Sequence, residues 1–444
     1  MNQRKIGIDD ISFYIPASRI DLETLKKRRI KENPRLERHL KRALRVTGQR
    51  AIRFPGAWED TATMAATSAY RLLANSKPED LGHIRHIAVG TESSLDHSKP
   101  VASYVQGMLQ KAGLAVPNTL TSFQVQHACA GGTLSMLSVA AQLATCPDKG
   151  DSGLVICSDI ARYPTYSTAE ITQGAGATAL KVTSDPRLIE LDLSTIGYYS
   201  KDVDDFFRPL GSKTAMVKGS YSIQCYKESL EQAFLDHCRR REKTPAQVLK
   251  NAGFFAIHTP FRNMPEIAFR DLLSKYLDLD TEAIRAFLYD RGLLDAVEAV
   301  AEIGNLYTGA IYLALAFTLS RRYAEIGRGI VGKEVLVASY GSGSTMTVIS
   351  GRLAEGAPEL IESWNLDSIL TETREASIEE YQQWIDGPYA PKNKSRDQDH
   401  EENSGSRFTL EAIREDGYRE YTYKKPISNP AEKSPSPIDL YRPE

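Results

Sequence analysis

The stretch QHACAGGTLSM, Gln126–Met136, sets one cysteine before a pair of glycines and ahead of a run of small and apolar residues. Such a run is typical of a buried helix. If the helix begins near Cys129, the thiol lies at the positive end of the helix dipole, which favours the thiolate and lowers its pKa. Gly131 and Gly132 remove two side chains, so a bulky acyl group can approach. The alternative is an inert cysteine that packs as a small apolar residue.

The order of elements around Cys129 occurs a second time in the chain. HIAVGTES precedes the cysteine and LVICSD follows it; later FFAIHTPF precedes GNLYTGAIYLALAF, and GKEVLVASYGSG follows. Strand end, small-residue helix start and buried strand recur in the same order, which predicts an α/β protein built by duplication, although any α/β chain can show such coincidences. Two such halves bring their strand ends together at one seam, where polar loops converge.

Four polar residues lie at these strand ends and helix starts. Glu92 follows an apolar strand, where partial burial raises a carboxyl pKa and allows proton transfer near neutral pH; Asp96 is a weaker candidate. His258 ends another strand and can donate to a carbonyl oxygen or exchange a proton with a thiol. Asn305 holds in the second half the slot of Cys129. Each also has a structural interpretation: a solvated loop carboxylate, a core histidine, an N-cap asparagine.

The stretch SYGSGS, Ser339–Ser344, follows the last core strand. Its backbone N–H groups, those of Gly341 and Ser342 among them, can bind an oxyanion. It has neither Walker spacing nor the GxGxxG context of a phosphate loop, and the alternative is a tight glycine turn.

The bulk composition excludes several classes of protein. A chain of 444 residues with 41% hydrophobic residues can form a large core in two or three domains. With 55 Lys and Arg against 57 Asp and Glu and no basic block, nucleic acid is not an expected partner. The N-terminus lacks a signal-peptide core and no apolar run is long enough to span a bilayer, so we expect a cytoplasmic protein without a membrane partner. The five cysteines show no CxxC, so neither a disulfide framework nor a metal site is expected.

From about residue 354 the composition changes. The stretch ESWNLDSILTETREASIEEYQQWIDG predicts helix, whereas PYAPKNKSRDQDHEENSGSR is polar and charged and predicts a mobile loop. REDGYREYTYKKP alternates tyrosines with charges, which favours a strand or hairpin before the tail ending in YRPE.

Seven ordered motifs resemble the 3-hydroxy-3-methylglutaryl-CoA synthase family of the thiolase superfamily, in its bacterial form. They are TES at Glu92, ACxGGT at Cys129, SDIARY with AExTQGAGA over 158–177, DFFRP over 205–209, HTPF at His258, GNLYTG over 304–309 and SYGSG over 339–343. The resemblance runs in register from about Gly7 to Leu353, and the tail is also similar. It implies a duplicated, five-layered αβαβα core.

The implied organisation is an N-terminal half over 1–185, with Glu92 and Cys129, a C-terminal half over 186–353, with His258 and Asn305, and an extension over 354–444. The resemblance implies that Cys129 is the nucleophile, Glu92 the general acid/base and His258 the third catalytic residue. The residues that it places at the substrate are Asn305, Tyr307, Gly341, Ser342, Arg262 and Asp205.

The implied reaction uses acetyl-CoA and acetoacetyl-CoA as substrates and no cofactor or metal. Acetyl-CoA acetylates Cys129, and Glu92 then removes a proton from the acetyl group. The carbanion adds to the ketone of acetoacetyl-CoA, which His258 and Asn305 polarise, and water releases the product. A carboxylate can enolise a thioester only if the enolate oxygen is held by donors, here the N–H of Cys129 and a glycine amide of SYGSG. The resemblance further implies a homodimer in the mevalonate route to isoprenoids.

The chain departs from the family pattern at three positions. Ala130 follows the nucleophile where the family usually has tyrosine, and this difference affects the expected shape of the acyl pocket. Asn263 replaces the family lysine after HTPF, and we expect its neighbour Arg262 to take over the contact with CoA phosphates. Lys218, in VKG, stands where the family has VDG.

Three other functions compete with the free-CoA enzyme. Relatives that act on acyl carrier proteins in polyketide β-branching tend to have Glu-Pro-Ser before GAGA and lack the tyrosine of GNLYTG, whereas this chain has TQ there and keeps Tyr307. A ketoacyl synthase III makes its carbanion by decarboxylation and needs no base, so Glu92 argues against it. A non-catalytic scaffold would have lost the cysteine or the glutamate, and both are present.

Overall fold

The computed structural model describes residues 5–146, 148–387, 405 and 407–424, with Asp295 described by its backbone alone. The strands are β1 (Ile6–Tyr14), β2 (Ser18–Asp21), β3 (Ala51–Arg53), β4 (Ile84–Gly90), β5 (Thr121–Val125), β6 (Ser152–Ala161), β7 (Gly174–Ser184), β8 (Ile189–Ser200), β9 (Phe206–Phe207), β10 (Met216–Val217), β11 (Ala252–Ile257), β12 (Glu334–Gly341), β13 (Thr345–Leu353), β14 (Arg374–Glu375), β15 (Phe408–Ile413) and β16 (Arg419–Tyr423).

The helices are α1 (Leu22–Glu32), α2 (Glu37–Thr47), α3 (Thr61–Leu73), α4 (Pro78–Gly82), α5 (Val101–Lys111), α6 (Gly131–Thr145), α7 (Gly219–Arg240), α8 (Pro245–Asn251), α9 (Met264–Leu277), α10 (Thr281–Tyr289), α11 (Leu293–Ile303), α12 (Ala310–Ile326), α13 (Ala357–Ser363), α14 (Leu366–Thr371) and α15 (Ile378–Asp386). Short 3₁₀ turns occur as well, one of them at Tyr307–Gly309, directly before α12.

The main sheet consists of two halves that share a four-strand arrangement, to which β5 adds a fifth strand at the edge of the first half. Its strand order is β11-β12-β13-β8-β1-β7-β6-β4-β5. In the first half β1 and β7 are antiparallel, β7 and β6 antiparallel, and β6 and β4 parallel. In the second half β8, β13, β12 and β11 repeat the same order and the same directions. The halves meet where β1 pairs with β8, with Gly7 opposite Glu190. The predicted α/β duplication is therefore confirmed by the strand order.

Helices cover both faces of each half-sheet, which gives the predicted five layers. Alternate residues of a strand point to opposite faces. Val155 of β6 accordingly packs in the central core with α6 and α12, while its neighbours Leu154 and Ile156 pack outward against α3 and α5. In the second half Val337 of β12 faces the same central core, and Leu336 faces α7 and α9. Strands buried on both faces explain the continuous apolar runs in the sequence.

The C-terminal stretch differs in part from its prediction. The predicted continuous helix is instead α13, α14, the short strand β14 beside β2, and α15. The stretch does not form one helix because its apolar residues pack on two different cores. Ile361 and Leu366 pack in the central core, and Tyr381 packs beside α1. The strand predicted in REDGYREYTYKKP is confirmed as β16, which forms a hairpin with β15, a strand that precedes this stretch. The polar loop over 388–407 lies outside the described residues except for 405 and 407, and so does the YRPE tail.

One stretch of the described chain, Ala128–Thr145, is long and apolar enough by composition to cross a membrane. It contains α6, whose Met136, Val139 and Leu143 pack in the central core between the half-sheets. A core helix of this kind meets the same criteria of length and composition as a membrane span, so the stretch is weak support for one.

Candidate active site

Cys129 lies in a strained turn at the seam between the two halves. Ala128, directly before it, has φ of 40°. In the matching turn of the second half, Tyr307 has φ of 45°. Residues other than glycine adopt this left-handed backbone conformation at a cost of about 1–3 kcal/mol, and such strain is concentrated at functional sites. Both turns that the duplication brings to the seam therefore carry it.

The glycines after Cys129 serve close packing rather than acyl access, so that expectation is wrong. A Cβ on Gly131 would lie 2.7 Å from the carbonyl oxygen of Val125, and one on Gly132 would lie 2.3 Å from Sγ of Cys157. The space that the missing side chains leave is filled by the strands on which α6 is packed. Alanine at either position would push the start of α6, and Cys129 with it, away from the sheet.

The thiol of Cys129 is buried, with 8% of the residue exposed. Burial raises the pKa of this thiol well above its ordinary value, and the carboxylates of Glu92, Asp159 and Asp205 raise it further. The helix begins at Gly131, two residues beyond the cysteine. The prediction of a lowered pKa is therefore wrong: desolvation and the neighbouring acidic side chains outweigh the helix dipole. The resting Cys129 side chain is therefore a thiol.

Glu92 is buried two residues beyond the end of β4, with 9% of the residue exposed. Burial raises the pKa of its carboxyl to about 8, the Asp159 carboxylate contributes to the increase, and Arg208 opposes it. Its Oε1 has no hydrogen-bond partner among the described residues. The raised pKa expected from its place in the sequence is present, and Glu92 can gain or lose a proton near neutral pH.

Asp159, near the end of β6, connects the Glu92 loop with the second half. Its Oδ1 accepts hydrogen bonds from Thr91 Oγ1 at 2.9 Å, Glu92 N at 2.9 Å and Ser93 N at 3.1 Å. Its Oδ2 accepts from the N and Oγ1 of Thr308, at 3.2 and 2.5 Å. This fully buried carboxylate fixes the backbone of the candidate base. Asp96, the weaker candidate near Glu92, is exposed, and its side chain closes a turn by accepting from the N of Ser98 and Lys99.

His258 directly follows β11 and is also buried. Its N donates to the Ala338 carbonyl at 2.9 Å, and its own carbonyl accepts from the Tyr226 hydroxyl at 2.8 Å. The Tyr226 ring lies 6.3 Å from the imidazole and 4.8 Å from the ring of Tyr340, whose neighbour Gly341 packs against the turn that holds Cys129. Burial lowers the pKa of His258 to about 3. The imidazole is neutral at pH 7, and its Nδ1 has no partner among the described residues.

An aromatic cluster beside Cys129 forms the apolar wall of the site. Tyr163, Phe206 and Tyr307 pack with the cysteine, and their ring centroids are 5.9–6.5 Å apart. The Tyr307 hydroxyl is buried without a partner among the described residues. Asn305 is buried beside them, and its Oδ1 accepts from Tyr307 N at 2.8 Å. Since α12 begins only at Ala310, Asn305 is not its N-cap.

The SYGSG loop lies directly against the Cys129 turn. A Cβ on Gly341 would lie 2.6 Å from the His127 carbonyl oxygen and 2.7 Å from Cβ of Ala130, so only glycine fits there. Asp205 holds the loop from the other side. It is fully buried and accepts from Gly343 N at 3.0 Å and from the Tyr340 hydroxyl at 2.9 Å, as well as from Ser222 Oγ at 3.0 Å. Asp205 therefore positions the loop, with its oxygens engaged by protein donors, rather than facing a substrate as expected. The same loop includes Ser342, which is half-buried.

Arg262 is already paired in this structure. Its Nε and Nη2 donate to Oε1 of Glu298 at 2.8 and 2.5 Å, and its Nη1 donates to Oδ1 of Asn263 at 2.6 Å. Asn263 in turn donates to the Val46 carbonyl at 3.0 Å and thereby satisfies the end of α2. Lys218 is bound to Asp204. The cation expected to hold CoA phosphates is thus already paired with a carboxylate, which it shares with Arg50.

Several residues at the site were missed by the sequence analysis. Asp159, Tyr163, Arg208 and Tyr226 have no motif of their own, although the first three fall inside the quoted motifs SDIARY and DFFRP. A buried aspartate at the end of an apolar strand was the available signal for Asp159, because a carboxylate needs a polar reason to lie there. No local signal marks Tyr226, which reaches His258 from helix α7.

A doubled α/β core with a buried cysteine at a helix start on its seam defines a thiolase-like, acyl-transferring enzyme. The family models for the N-terminal and C-terminal parts of hydroxymethylglutaryl-coenzyme A synthase match residues 2–186 and, for the C-terminal part, 189–286 and 270–424. The chain belongs to the hydroxymethylglutaryl-CoA synthase family, and the resemblance found in its motifs is confirmed.

The relatives of this chain include a synthase named for coenzyme A and one named for acyl carrier protein. The chain is 30% identical to the hydroxymethylglutaryl-CoA synthase of Enterococcus faecalis over 377 residues, which cover 85% of this chain and 90% of that protein. It is 26% identical over 386 residues to PksG of Bacillus subtilis, a polyketide biosynthesis 3-hydroxy-3-methylglutaryl-ACP synthase, with 85% and 87% covered. It is similar to the solved structure of MvaS in complex with 3-hydroxy-3-methylglutaryl coenzyme A, with a TM-score of 0.80, 31% identity, and 95% and 100% covered.

Proposed function

We propose that this chain condenses acetyl-CoA with acetoacetyl-CoA to give 3-hydroxy-3-methylglutaryl-CoA through an acetyl-Cys129 intermediate, without metal or other cofactor. The observation that carries the proposal is one buried site that holds a thiol, a carboxyl with a pKa near 8 and a neutral imidazole. A thiol accepts the acetyl group, a carboxylate removes a methyl proton, and a neutral imidazole polarises a ketone. We assign the reaction to the mevalonate route and expect a cytoplasmic homodimer.

The first step transfers the acetyl group from CoA to sulfur. Sγ of Cys129 attacks the thioester carbon, the C–S bond to CoA breaks, and CoA leaves as the thiol after taking up a proton. Since burial and nearby carboxylates disfavour a free thiolate, the proton must leave as the new bond forms. We assign that proton to His258: its low pKa makes it a weak base on its own, but an imidazolium beside a developing thiolate is stabilised by the opposite charge.

The second step forms the carbanion and the new carbon–carbon bond. Glu92, as the carboxylate, takes a proton from the acetyl methyl group, and backbone N–H groups of Cys129 and the Gly341–Ser342 segment stabilise the enolate oxygen. The enolate carbon adds to the ketone of acetoacetyl-CoA, and the resulting alkoxide takes up a proton. Asn305 and His258 hold that ketone in our assignment. Water then cleaves the thioester to Cys129, which leaves a carboxylate on the product and the thiol on the enzyme.

The charges for the phosphates of CoA lie on α1 and α2. Between Leu22 and Thr47 there are ten Lys and Arg against three Glu, in a chain whose net charge is −2. The absence of a basic block expected from the bulk charge is therefore wrong for this segment. Asn263, which lies five residues beyond His258, binds the end of α2, so the basic helices adjoin the turn after His258. We assign the phosphate contacts to them, because Arg262 is paired with Glu298.

Three arginines form one stripe on α2. Arg38, Arg42 and Arg45 follow one another at spacings of four and three residues, so they share a helix face, and all three are exposed. None has a carboxylate within 4.0 Å in the described part of the chain, whereas Lys41 on the same helix pairs with Glu37. These unpaired cations are available to an anionic substrate.

Replacing Arg38, Arg42 and Arg45 together by glutamine should raise KM for acetoacetyl-CoA about tenfold with kcat nearly unchanged, because uniform binding is lost. Steady-state kinetics at low and high salt will measure it, and the wild-type KM should rise with salt more than that of the variant. Lys41→Gln is the matched control and should change KM less than about twofold. If the largest increase in KM came from Arg262→Ala instead, the contact would belong to Arg262.

The second candidate is the enzyme that takes its substrates from an acyl carrier protein. Its support is the relative PksG at 26% identity, together with the basic α1–α2 surface, which suits an acidic carrier as well as it suits CoA. Intact-mass spectrometry separates the two candidates. We expect acetyl-CoA to add one acetyl group to the protein within a turnover time, and acetylated carrier protein to do so far more slowly. The reverse order of rates would assign the chain to the carrier-protein enzyme.

A further inference from the structure

The hairpin β15–β16 lies outside the duplicated core and packs on its outer helices. Phe408, Leu410 and Tyr421 are buried against α3, α5 and the strands beneath them. Leu410 N also donates to the Trp58 carbonyl at 2.7 Å, in the segment just before α3. The core strands and helices of both halves are complete without this hairpin. We therefore infer the role of the hairpin from the residues that it contacts.

One group of contacts converges on the start of α3. Asp60 is fully buried, and its Oδ1 caps the helix by accepting from Thr63 N at 2.9 Å. Its Oδ2 accepts hydrogen bonds from two side chains of the hairpin, Arg419 Nη1 at 3.0 Å and the Tyr421 hydroxyl at 2.8 Å. A buried carboxylate is strongly fixed by such charge-assisted bonds. The hairpin thereby sets the position of the first turn of α3.

That first turn holds the loop that carries Glu92. Thr61, the residue after Asp60, donates through Oγ1 to the Ser93 carbonyl at 2.8 Å. Ser93 is the next residue after Glu92, and the Glu92 side chain has no hydrogen bond of its own at Oε1 among the described residues. The carboxylate is therefore placed by its backbone. A chain of direct contacts runs from Tyr421 through Asp60 and Thr61 to that backbone.

A second contact holds the far end of the same loop. Lys99 Nζ donates to the Tyr418 hydroxyl at 2.7 Å and lies over the rings of Tyr104 and Tyr418, 4.2 and 4.7 Å from their centroids. Tyr418 belongs to the turn between β15 and β16, and Lys99 is two residues before α5. The segment over 91–100 is thus attached to the hairpin, directly or through α3, at both of its ends.

We propose that the β15–β16 hairpin is a clamp that positions Glu92 for proton abstraction, with Tyr421 and the Lys99–Tyr418 contact as its two attachment points. These are positioning residues, since neither touches the reacting atoms. The inference rests on the proposed function, because it takes Glu92 to be the base. A loosened loop would admit water to Glu92 and move its carboxylate, and both changes slow a reaction that depends on geometry and desolvation.

The test uses the full chain with Lys99→Met and Tyr421→Phe, alone and together. Lys275→Met is the matched control, because Lys275 also lies over a tyrosine ring, that of Tyr276, at 5.3 Å, far along the chain from the loop. Three rates are measured: acetylation of the protein by acetyl-CoA, exchange of the acetyl methyl protons for deuterium over pH 5–9, and backbone amide exchange of a peptide over 91–100.

In the double variant we expect methyl exchange to slow about tenfold, while acetylation and KM change less than about twofold. The pH midpoint of methyl exchange should fall, because water near Glu92 reduces the desolvation that raises its pKa. The ionisable groups that face Glu92 are unaltered in the variant: Asp159, Arg208, Cys129, Tyr163 and Tyr307. Amide exchange over 91–100 should speed up. A simple loss of stability would lower acetylation as well and leave the midpoint in place.

Two results would overturn the clamp: amide exchange over 91–100 equal to wild type in the double variant, or unchanged methyl exchange with an unchanged midpoint. Failure of the proposed function looks different. In that case the wild-type protein itself would show no acetylation or no methyl exchange. The amide exchange of the loop would still decide whether the hairpin holds it.

Discussion

Cys129→Ser should lose overall turnover by about 10⁴-fold or more, because the serine hydroxyl is a far poorer nucleophile than sulfur. The site is especially unfavourable to an alkoxide. Burial and the carboxylates of Glu92, Asp159 and Asp205 already raise the pKa of the thiol, and they would oppose a negative charge on oxygen at least as strongly. The only compensation is the neutral imidazole of His258, whose pKa of about 3 makes it a weak acceptor for a hydroxyl proton.

The measurement for Cys129→Ser pairs steady-state turnover with intact mass after exposure to acetyl-CoA. Wild type should gain one acetyl group, located on the peptide that holds Cys129, and the variant should gain none. Cys146→Ser is the matched control, because Cys146 lies at the far end of α6. Its thiol is half-buried and donates a hydrogen bond to Asp151. It should keep wild-type turnover. Full activity in Cys129→Ser, or acetyl transfer to another cysteine, would remove Cys129 from the mechanism.

The parts of the site that could be predicted are those set by position along an element. Glu92 is the second residue after the apolar strand β4, His258 is the first after β11, and Cys129 comes just before a small-residue helix. Because strand ends and helix starts share one edge of an α/β sheet, that order is enough to bring the three residues to one seam. Strand β16 was equally predictable, since its alternating tyrosines and charges have the period of a half-buried strand, whereas its partner β15 lies before the stretch that carried the prediction.

The parts that could not be predicted depend on packing between the two halves. The thiol pKa is raised first by burial at the seam and then by Glu92, Asp159 and Asp205, which come to Cys129 from distant parts of the chain. The glycine pair is explained by the nearness of Val125 and Cys157. Local sequence also could not show that Arg262 is paired with Glu298, 36 residues away. Helix dipoles and glycine spacing are local rules, and here long-range burial and charge outweigh them.

Glu92→Gln should separate the two chemical steps. The acetyl-enzyme should still form at a rate near wild type, whereas deuterium exchange of the acetyl methyl and the condensation itself should fall by about 10³-fold or more. The amide has the shape of the protonated carboxyl but cannot accept a methyl proton. In the wild type, a pKa of about 8 means that only about a tenth of Glu92 is ionised at pH 7, so methyl exchange should rise with pH and level off above 8.

The same substitution gives a second readout that is independent of catalysis. Folding raises the pKa of Glu92 to about 8, so the folded protein binds more protons than the unfolded chain between about pH 4.5 and 8, and stability falls as pH rises through that window. Glu92→Gln removes this loss. Its melting temperature should therefore exceed that of wild type at pH 8, with the difference shrinking toward pH 5. An equal melting difference at both pH values would mean that Glu92 is ordinarily ionised. Retained methyl exchange together with lost acetylation would assign Glu92 to the nucleophile's proton, and the base for carbanion formation would then have to be another group at the seam.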